Sequence, residues 1–401
     1  MISVEDALAR VLGALSPVSA ETLALPDAWG RVLARPVTAR LNQPPADVSA
    51  MDGYAVRAAD AEESAQLTLI GASPAGHPFD GEVGPGQAVR IFTGGFVPSG
   101  ADGILLQEDA EQSGETVLVR ETVHPGRWIR AAGLDFREGE ELLRPGRALS
   151  ARDIGLAAAS NHPWLTVRRR PTVGILATGD EIVLPGEPLP RGSIVSSNAH
   201  ALAALVRAGG GQPLILPVAR DSAEALADTV GAAARCDILV TSGGASVGEH
   251  DLIRSALTPH GFTQDFWRIA MRPGKPLIWG RLNEVPLLGL PGNPVSALVC
   301  AILFLLPALR RLSGLERCET PLSRATTITA LSPNDGRQDY LRAHVEQGDG
   351  DLPQVEVFAR QDSSMLRLLA SASALVIRAP YAEALPAGAE VRMIEFGLLG
   401  I

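Results

Sequence analysis

Apolar residues recur in two rhythms along the 401-residue chain, and the rhythm changes where the architecture is expected to change. Near the start, Val4, Ala7, Leu8, Val11, Leu12 and Leu15 fall on one face at helical spacing. Ser3 with Asp6 makes a capping-box pattern ahead of them, so a helix is expected over 4–15. Pro17, Pro26 and Pro36 punctuate the next stretch, with a second short helix expected over 28–33 and an extended segment over 37–41. Beyond Pro44 and Pro45 the pattern turns to short β-type runs at 54–57, 67–70, 88–92, 103–106 and 116–119, separated by turn residues. These define an all-β insert over 44–137. Ser150 is a good N-cap for a helix over 151–160, and the segments 1–43 and 138–167 are expected to pack together as one discontinuous domain.

From Thr172 strands and helices alternate. Strands are expected at 173–177, 213–218, 238–240, 266–271, 276–279 and 285–290. Helices are expected at 199–208, closed by Gly209, Gly210 and Gly211, at 222–234 behind the cap Ser222, and from Pro294 onward. This order predicts that 168–316 is a doubly wound, mainly parallel α/β domain with ligands at the carboxyl ends of its strands. After Arg317 the pattern returns to strands at 326–330, 340–345, 354–358, 375–378 and 390–394, a small C-terminal β-barrel or sandwich over 317–401. The fold class expected is therefore multi-domain α/β plus β.

Composition narrows the function classes. With 46% hydrophobic but only 4% aromatic residues, the cores must be built of Leu, Val and Ala. A formal net charge of −10 argues against a nucleic-acid or anionic-membrane surface, though not against an anionic small ligand in a pocket with its own cations. Cys236, Cys300 and Cys318 are odd in number and scattered, which disfavours a disulfide framework or a structural zinc site. The apolar run 295–309 is short for a membrane span and contains Pro307, so a buried helix is expected. The N-terminus lacks the basic and apolar regions of a secretory signal, which points to the cytoplasm.

Four loops of the α/β region carry candidate chemistry. The stretch 237–251, DILVTSGGASVGEHD, reads as strand, glycine-rich loop and helix start, the way a parallel sheet builds an anion site. Its spacing fits neither a dinucleotide fingerprint nor a P-loop. Gly243 and Gly244 let backbone amides approach a ligand, Ser242 and Ser246 are possible donors, and Asp251 is the candidate acid, with His250 beside it. Glu181, in ATGDE at 177–181, can hold Mg²⁺ or accept protons, or simply sit in a helix-capping turn. Asp221 has the same two readings. In MRPGKP at 271–276, prolines hold Arg272 and Lys275 in place, which suits an oxyanion, although a solvated surface turn would look similar. In LPGNPVS, Asn293 is a candidate cap and Pro294 suits the first helical position. In the β insert, Asp52 before Gly53 reads as a type I′ turn or a free carboxylate, and Thr93 and Asp135 are similarly turn-like.

Together MDGYAV at 51–56, RIFTGG at 90–95, PSGAD at 98–102, GLDFREG at 133–139, TGDE at 178–181, SGGASVG at 242–248, RPGKP at 272–276 and LPGNPVS at 290–296 resemble the molybdopterin molybdenumtransferases. These are the bacterial molybdenum insertases related to the C-terminal domain of gephyrin. The resemblance runs from the first helix to the last strands. It implies an elongated four-part subunit and a homodimer, with each active site between the α/β domain of one chain and the β insert of the other. It also implies insertion of molybdate into adenylylated molybdopterin with release of AMP, dependence on Mg²⁺, and an adenylyltransferase that supplies the substrate. By motif, Asp52, Thr93 and Asp135 come from the insert side. Glu181, Asp221, Asp251 and Lys275 come from the α/β side, with Glu181, Asp221 and Asp251 as the metal set and Pro291, Gly292, Asn293 and Pro294 as the substrate loop. Arg342 or Arg337 joins Ser364 near molybdate. Arg272 stands where some members have Lys, and Ala245 where Val is common. The rival readings are a molybdopterin adenylyltransferase or pyridine-nucleotide amidase relative, against which MDGYAV and the whole first third argue, and a non-enzymatic scaffold of the gephyrin type, which the intact acidic and basic loops disfavour.

Overall fold

The computed structural model describes residues 1–243, 250–348 and 350–401. Its centre is a six-stranded sheet in the order Gln212–Ile215, Thr172–Ala177, Ile238–Ser242, Val285–Leu290, Pro276–Leu282, Phe262–Arg268. The first four strands run parallel and Pro276–Leu282 runs antiparallel to both its neighbours, so five of the six point the same way and the sheet is mainly parallel as the alternation of elements implies. Side chains alternate between two apolar layers. Ile175, Val240 and Leu288 face a core shared with the helices Asn198–Ala208 and Pro294–Cys300. Leu176, Leu239 and Leu287 face a second core containing Leu226, Ile253 and Leu257. Burial on both sides explains why these strands read as continuous apolar runs rather than alternating ones.

The apolar run after Pro294 is a core helix. It continues from Pro294–Cys300 through a wider turn at Ala301–Leu305 into Leu306–Leu312. Pro307 has no N–H to donate, and the widened turn lets the helix pass it without a break. Of the described helices this one alone is long and apolar enough to cross a membrane, and it is 83% buried in the protein.

The β insert is a six-stranded sheet in the order Gly103–Leu106, Gly53–Val56, Gln87–Ile91, Gln66–Ser73, Thr116–Val119, Ala110–Ser113, with an apolar cluster on each face. On either side of it in sequence, Ala20–Ala24 pairs antiparallel with Trp164–Arg168, and Val37–Thr38 with Glu141–Leu143. Ser150 and Asp153 complete a reciprocal capping box on helix Ala151–Ala159. The C-terminal strands Ser323–Thr327, Gln338–Glu346, Gln354–Val357, Ala374–Arg378 and Glu390–Glu395 close on themselves as a five-stranded barrel. Closure removes the sheet edges.

Several local expectations need correction. Residues 28–33 are not a helix. A single 3₁₀ turn, Leu25–Ala28, is followed by Gly30 at φ +71°, and Val32 and Leu33 then bridge to Ala148 and Val167. The left-handed glycine ends the turn, and burial of Leu33 draws the chain into extended pairing. The helix expected over 222–234 is two pieces, Ala223–Asp228 and Val230–Ala233, because the Thr229 hydroxyl donates to the Leu226 carbonyl at 2.6 Å. The strand expected over 266–271 ends at Arg268 and resumes as Met271–Arg272, which joins the C-terminal barrel in parallel to Gln338–Asp339. Neither Asp52 nor Gly53 has a positive φ, so the type I′ turn does not form and Gly53 begins a strand.

Leu288, fully buried in the larger core, is a direct test of this packing. Leu288→Ala should cost about 2–5 kcal/mol of unfolding free energy. The same change at half-exposed Leu322 should move the denaturation midpoint little. Equal effects at the two sites would contradict the assigned core.

Candidate functional site

The parallel register sets the site. Ala177 lies opposite Ser242, and Ser242 opposite Leu290, so three strands end at one level and release their loops side by side. A cleft of about 650 Å³ opens there. It takes in Thr178 and Glu181 from the first loop, Ser242 and Gly243 from the second, and Pro291, Gly292, Asn293 and Pro294 from the fourth. Pro276 of the RPGKP loop and Ser364 from the C-terminal region complete its wall.

The loops meet backbone to backbone. Gly243 has φ +99°, and a Cβ there would lie 2.5 Å from the Thr178 carbonyl oxygen. A Cβ on Gly292 would sit 3.6 Å from the Gly243 Cα. Asn198 ties two loops together, its side-chain amide donating to Ser242 Oγ at 2.8 Å and to the Gly292 carbonyl at 2.7 Å. Sequence reasoning passed over Asn198. The signal was the run Ser196-Ser197-Asn198, three hydrogen-bonding residues directly before a buried helix. Thr178 Oγ1 is buried with no hydrogen-bond partner among the described residues, a donor left over at the cleft wall. Pro294 occupies the first helical position with Asn293 as cap residue, as expected. The Asn293 side chain does not cap, however; it donates to Ser363 Oγ at 3.1 Å and fastens the helix start to the neighbouring loop.

The acidic residues gather on one flank. The Asp221 amide donates to Asp180 Oδ1 at 3.2 Å. Burial, and then the charges of Asp180 and Glu181, push the Asp221 carboxyl above its usual range. Such a group of hard oxygen donors suits a divalent cation, although among the described residues no three Asp, Glu, His or Cys side chains converge closely enough to hold one. Gly244, Ser246 and the side chains of His250 and Asp251 lie outside the described residues.

The cationic candidates divide. Lys275 is exposed next to cleft-lining Pro276. Arg272 is engaged elsewhere: it pairs with Asp335 at 2.5 Å and lies 3.7 Å from Asp339. It is held in place, then, but by a carboxylate and not by the prolines alone. Arg337 grips the same Asp335 at 2.6 Å, and that hydrogen bond is the main reason the Asp335 carboxyl is pulled down to about 2. Neither arginine lines the cleft. Arg342 is fully buried, donating to Gln361 Oε1 at 3.2 Å and to the Asp362 carbonyl at 2.7 Å. Asp362 in turn accepts from the Ser364 hydroxyl at 2.6 Å and its amide at 2.8 Å. Arg342 thus stands beneath the loop that presents Ser364.

The β insert contributes a separate constellation. The Thr93 amide and hydroxyl both donate to Asp52 Oδ1 at 2.8 Å, and the amide contact is the main reason the Asp52 carboxyl is lowered. Asp135 is exposed on the adjoining loop, its amide donating to the Gln43 carbonyl at 2.9 Å. None of the three lines the cleft of the same chain. Met51, Phe92, Trp128 and Leu134 surround them as exposed apolar side chains.

Two outcomes test this geometry. Asn198→Ala should loosen the cleft, weakening ligand binding by about 1–3 kcal/mol from the two lost hydrogen bonds while leaving the thermal transition nearly unchanged; unaltered binding by calorimetry would remove Asn198 from the site. Because the folded pKa of Asp52 is depressed, its contact with Thr93 is fully formed above the ordinary carboxylate range and is lost only as pH falls through the lowered value. The Thr93 amide resonance should therefore titrate below the unperturbed aspartate range, and a midpoint at or above that range would refute the contact.

Comparison with known proteins agrees with the geometry. Family models described as MoeA N-terminal region (domain I and II), probable molybdopterin binding domain, and MoeA C-terminal region (domain IV) match residues 2–160, 174–311 and 324–396. The chain is 37% identical to a molybdopterin molybdenumtransferase of Nostoc over 88% of its own length and 84% of that relative. It is 34% identical to that of Haemophilus influenzae, over 88% and 89%. A solved molybdopterin biosynthesis MoeA protein from Pyrococcus horikosii matches with a TM-score of 0.87 at 30% identity, over 99% of both chains. A fold shared end to end, at this identity to curated relatives, establishes that the chain belongs to the molybdopterin molybdenumtransferase family.

Proposed function

We propose that this protein inserts molybdenum from molybdate into adenylylated molybdopterin, giving molybdenum cofactor and releasing AMP. The observation that carries the reading is the single cleft into which the TGDE, SGG and LPGNP loops, Pro276 and Ser364 all open. Its parts suit the two substrates. Hydroxyls at Thr178 and Ser242 and the cation of Lys275 offer donors to a tetrahedral dianion and to phosphates. Gly243 and Gly292 let main chain approach the nucleotide link. Asn198 keeps Ser242 and the Gly292 loop oriented, so little reorganisation is needed when ligand enters.

Glu181, Asp221 and Asp251 would hold Mg²⁺, which, when bound, neutralises charge on the phosphates. The raised Asp221 carboxyl supports this, since a cation relieves the burial and like-charge cost that raises it. Uptake of Mg²⁺ should then release a proton, and affinity should rise with pH through the carboxylate range; pH-independent affinity would remove Asp221 from the set.

The reading includes a homodimer in which the insert of a second copy brings its Asp52, Thr93 and Asp135 to the cleft. Exposed Met51, Phe92, Trp128 and Leu134 near those residues support it, as do exposed Ile194 and Val195 bordering the cleft, with Leu184 and Leu189 exposed in the segment before them. Isolated apolar side chains are ordinary on surfaces, but two groups of them flanking polar sites fit an interface. We read the subunit as four parts, 1–43 plus 138–167, 44–137, 168–316 and 317–401, working in the cytoplasm with an adenylyltransferase that supplies the activated pterin.

A molybdate-dependent AMP-release assay tests the whole. Glu181→Gln and Asp251→Asn should each lower the rate by about a hundredfold or more while leaving the fold intact. Full activity in either variant would count against its role. Mixing Asp52→Ala with Glu181→Gln should restore about a quarter of wild-type sites if each site spans two copies, whereas a site formed within one chain predicts no rescue.

A further inference from the structure

Away from the main cleft, five arginines converge on a second cavity. Arg31 comes from the turn after the 3₁₀ segment Leu25–Ala28, and Arg168, Arg169 and Arg170 from the end of strand Trp164–Arg168. Arg310 comes from helix Leu306–Leu312, and the space they border is about 220 Å³. Such a concentration is unexpected in a chain of net charge −10.

Two of the five charges are already answered. Arg31 pairs with Glu21, and Arg169 makes a forked pair with Asp237 at 2.6 and 2.5 Å. The other three have no carboxylate within ion-pair distance among the described residues. Arg168 donates to the Val18 carbonyl at 2.9 Å. Among the described residues Arg310 donates only to main-chain carbonyls, Glu319 at 2.8 Å and Cys318 at 3.5 Å. The exposed side chain of Arg170 makes no hydrogen bond or ion pair among the described residues. Burial presses the Arg310 pKa down, as expected for a guanidinium with no counter-charge beside it. Three guanidinium groups without a carboxylate border one small hollow, the half-buried Arg310 at the greatest desolvation cost, and planar guanidinium forks match the oxygens of a phosphate. Apart from Ser313 the remaining wall is of apolar residues and glycines, with Leu306, Leu315 and Leu399, a surface suited to the carbon skeleton of an ester.

We propose that this arginine-lined cavity between the N-terminal region and the α/β region binds a small phosphate-type anion, a phosphomonoester or a diphosphate. It is separate from the cleft of the proposed reaction: of the residues that border the two cavities, none is shared.

The test uses the full-length chain titrated calorimetrically with inorganic phosphate, pyrophosphate and glycerol 3-phosphate, with hydrogen exchange locating the protected peptides. Saturable binding of about one equivalent is expected, with protection around 168–170 and 310–315. Preference for glycerol 3-phosphate would identify an ester as the ligand class, and preference for pyrophosphate a diphosphate. Arg170→Glu should weaken binding about tenfold or more, or ~1.4 kcal/mol. Its side chain has no partner to lose among the described residues, so its thermal transition should match wild type; Arg310→Ala serves as a second variant only if it folds. Lys275→Ala, in the main cleft, should leave this binding in place. No saturable binding of any of the three anions, binding indifferent to Arg170→Glu, or protection confined to the main cleft would each overturn the proposal.

Discussion

Everything at the site depends on the alignment of three parallel strands. Thr172–Ala177, Ile238–Ser242 and Val285–Leu290 are buried on both faces, so their register is fixed by packing from two sides at once. A slip of one residue would exchange Val240 for Leu239 between two differently shaped cores. Because the strands cannot slip, Ala177, Ser242 and Leu290 end level, and the loops after them have no choice but to share one opening. Gly243 is the cost of that closeness, since only a residue without a Cβ can pass the Thr178 carbonyl. The chemistry of the cleft is thus a consequence of core packing several residues away.

That dependence explains what could be read from the sequence. The parallel sheet, the all-β insert, the barrel and the core helix all announce themselves through apolar rhythm, because each is stabilised by burial. The motif loops are equally visible, since glycine, proline and hydroxyl residues cluster where backbone must turn or approach a ligand. What stayed hidden has a different physical origin. Gly30 ends a turn through a left-handed φ that no periodicity encodes. Edge pairs such as Ala20–Ala24 with Trp164–Arg168 have little apolar pattern because much of their surface faces water. Arg272 and Arg342 find their partners 63 and 19–20 residues away, and the Asp335 that Arg337 grips two residues back is shared with Arg272. Three arginines that look interchangeable in the sequence turn out to be one clamp on the RPGKP loop, one companion on the same carboxylate, and one buried post under Ser364.

Charge is managed in layers. The chain is acidic overall, yet its acidic residues near the cleft are concentrated on the Asp180, Glu181 and Asp221 flank, where they raise the proton affinity of Asp221. Asp335 holds two guanidinium groups, Arg272 and Arg337, which leaves Lys275 as the cation of its loop with no ion pair among the described residues. Arg378 and Asp339, cross-strand neighbours in the barrel, are both buried, and each has side-chain atoms without a hydrogen-bond partner among the described residues, though Asp339 lies within ion-pair reach of Arg272. These buried polar groups lie where the barrel meets the α/β region, apart from its apolar cluster around Val355, Val376 and Met393.

The short strand Met271–Arg272 belongs by sequence to the α/β region but pairs with Gln338–Asp339 of the barrel. Backbone hydrogen bonds are stiff, so the RPGKP loop is mechanically part of both bodies. A rotation of the barrel would pull first on the 272–275 turn, and through it on Pro276, where strand Pro276–Leu282 begins. The C-terminal region is in this sense a lever arm on the cation loop, and tension applied at the tail would be felt at the mouth of the cleft.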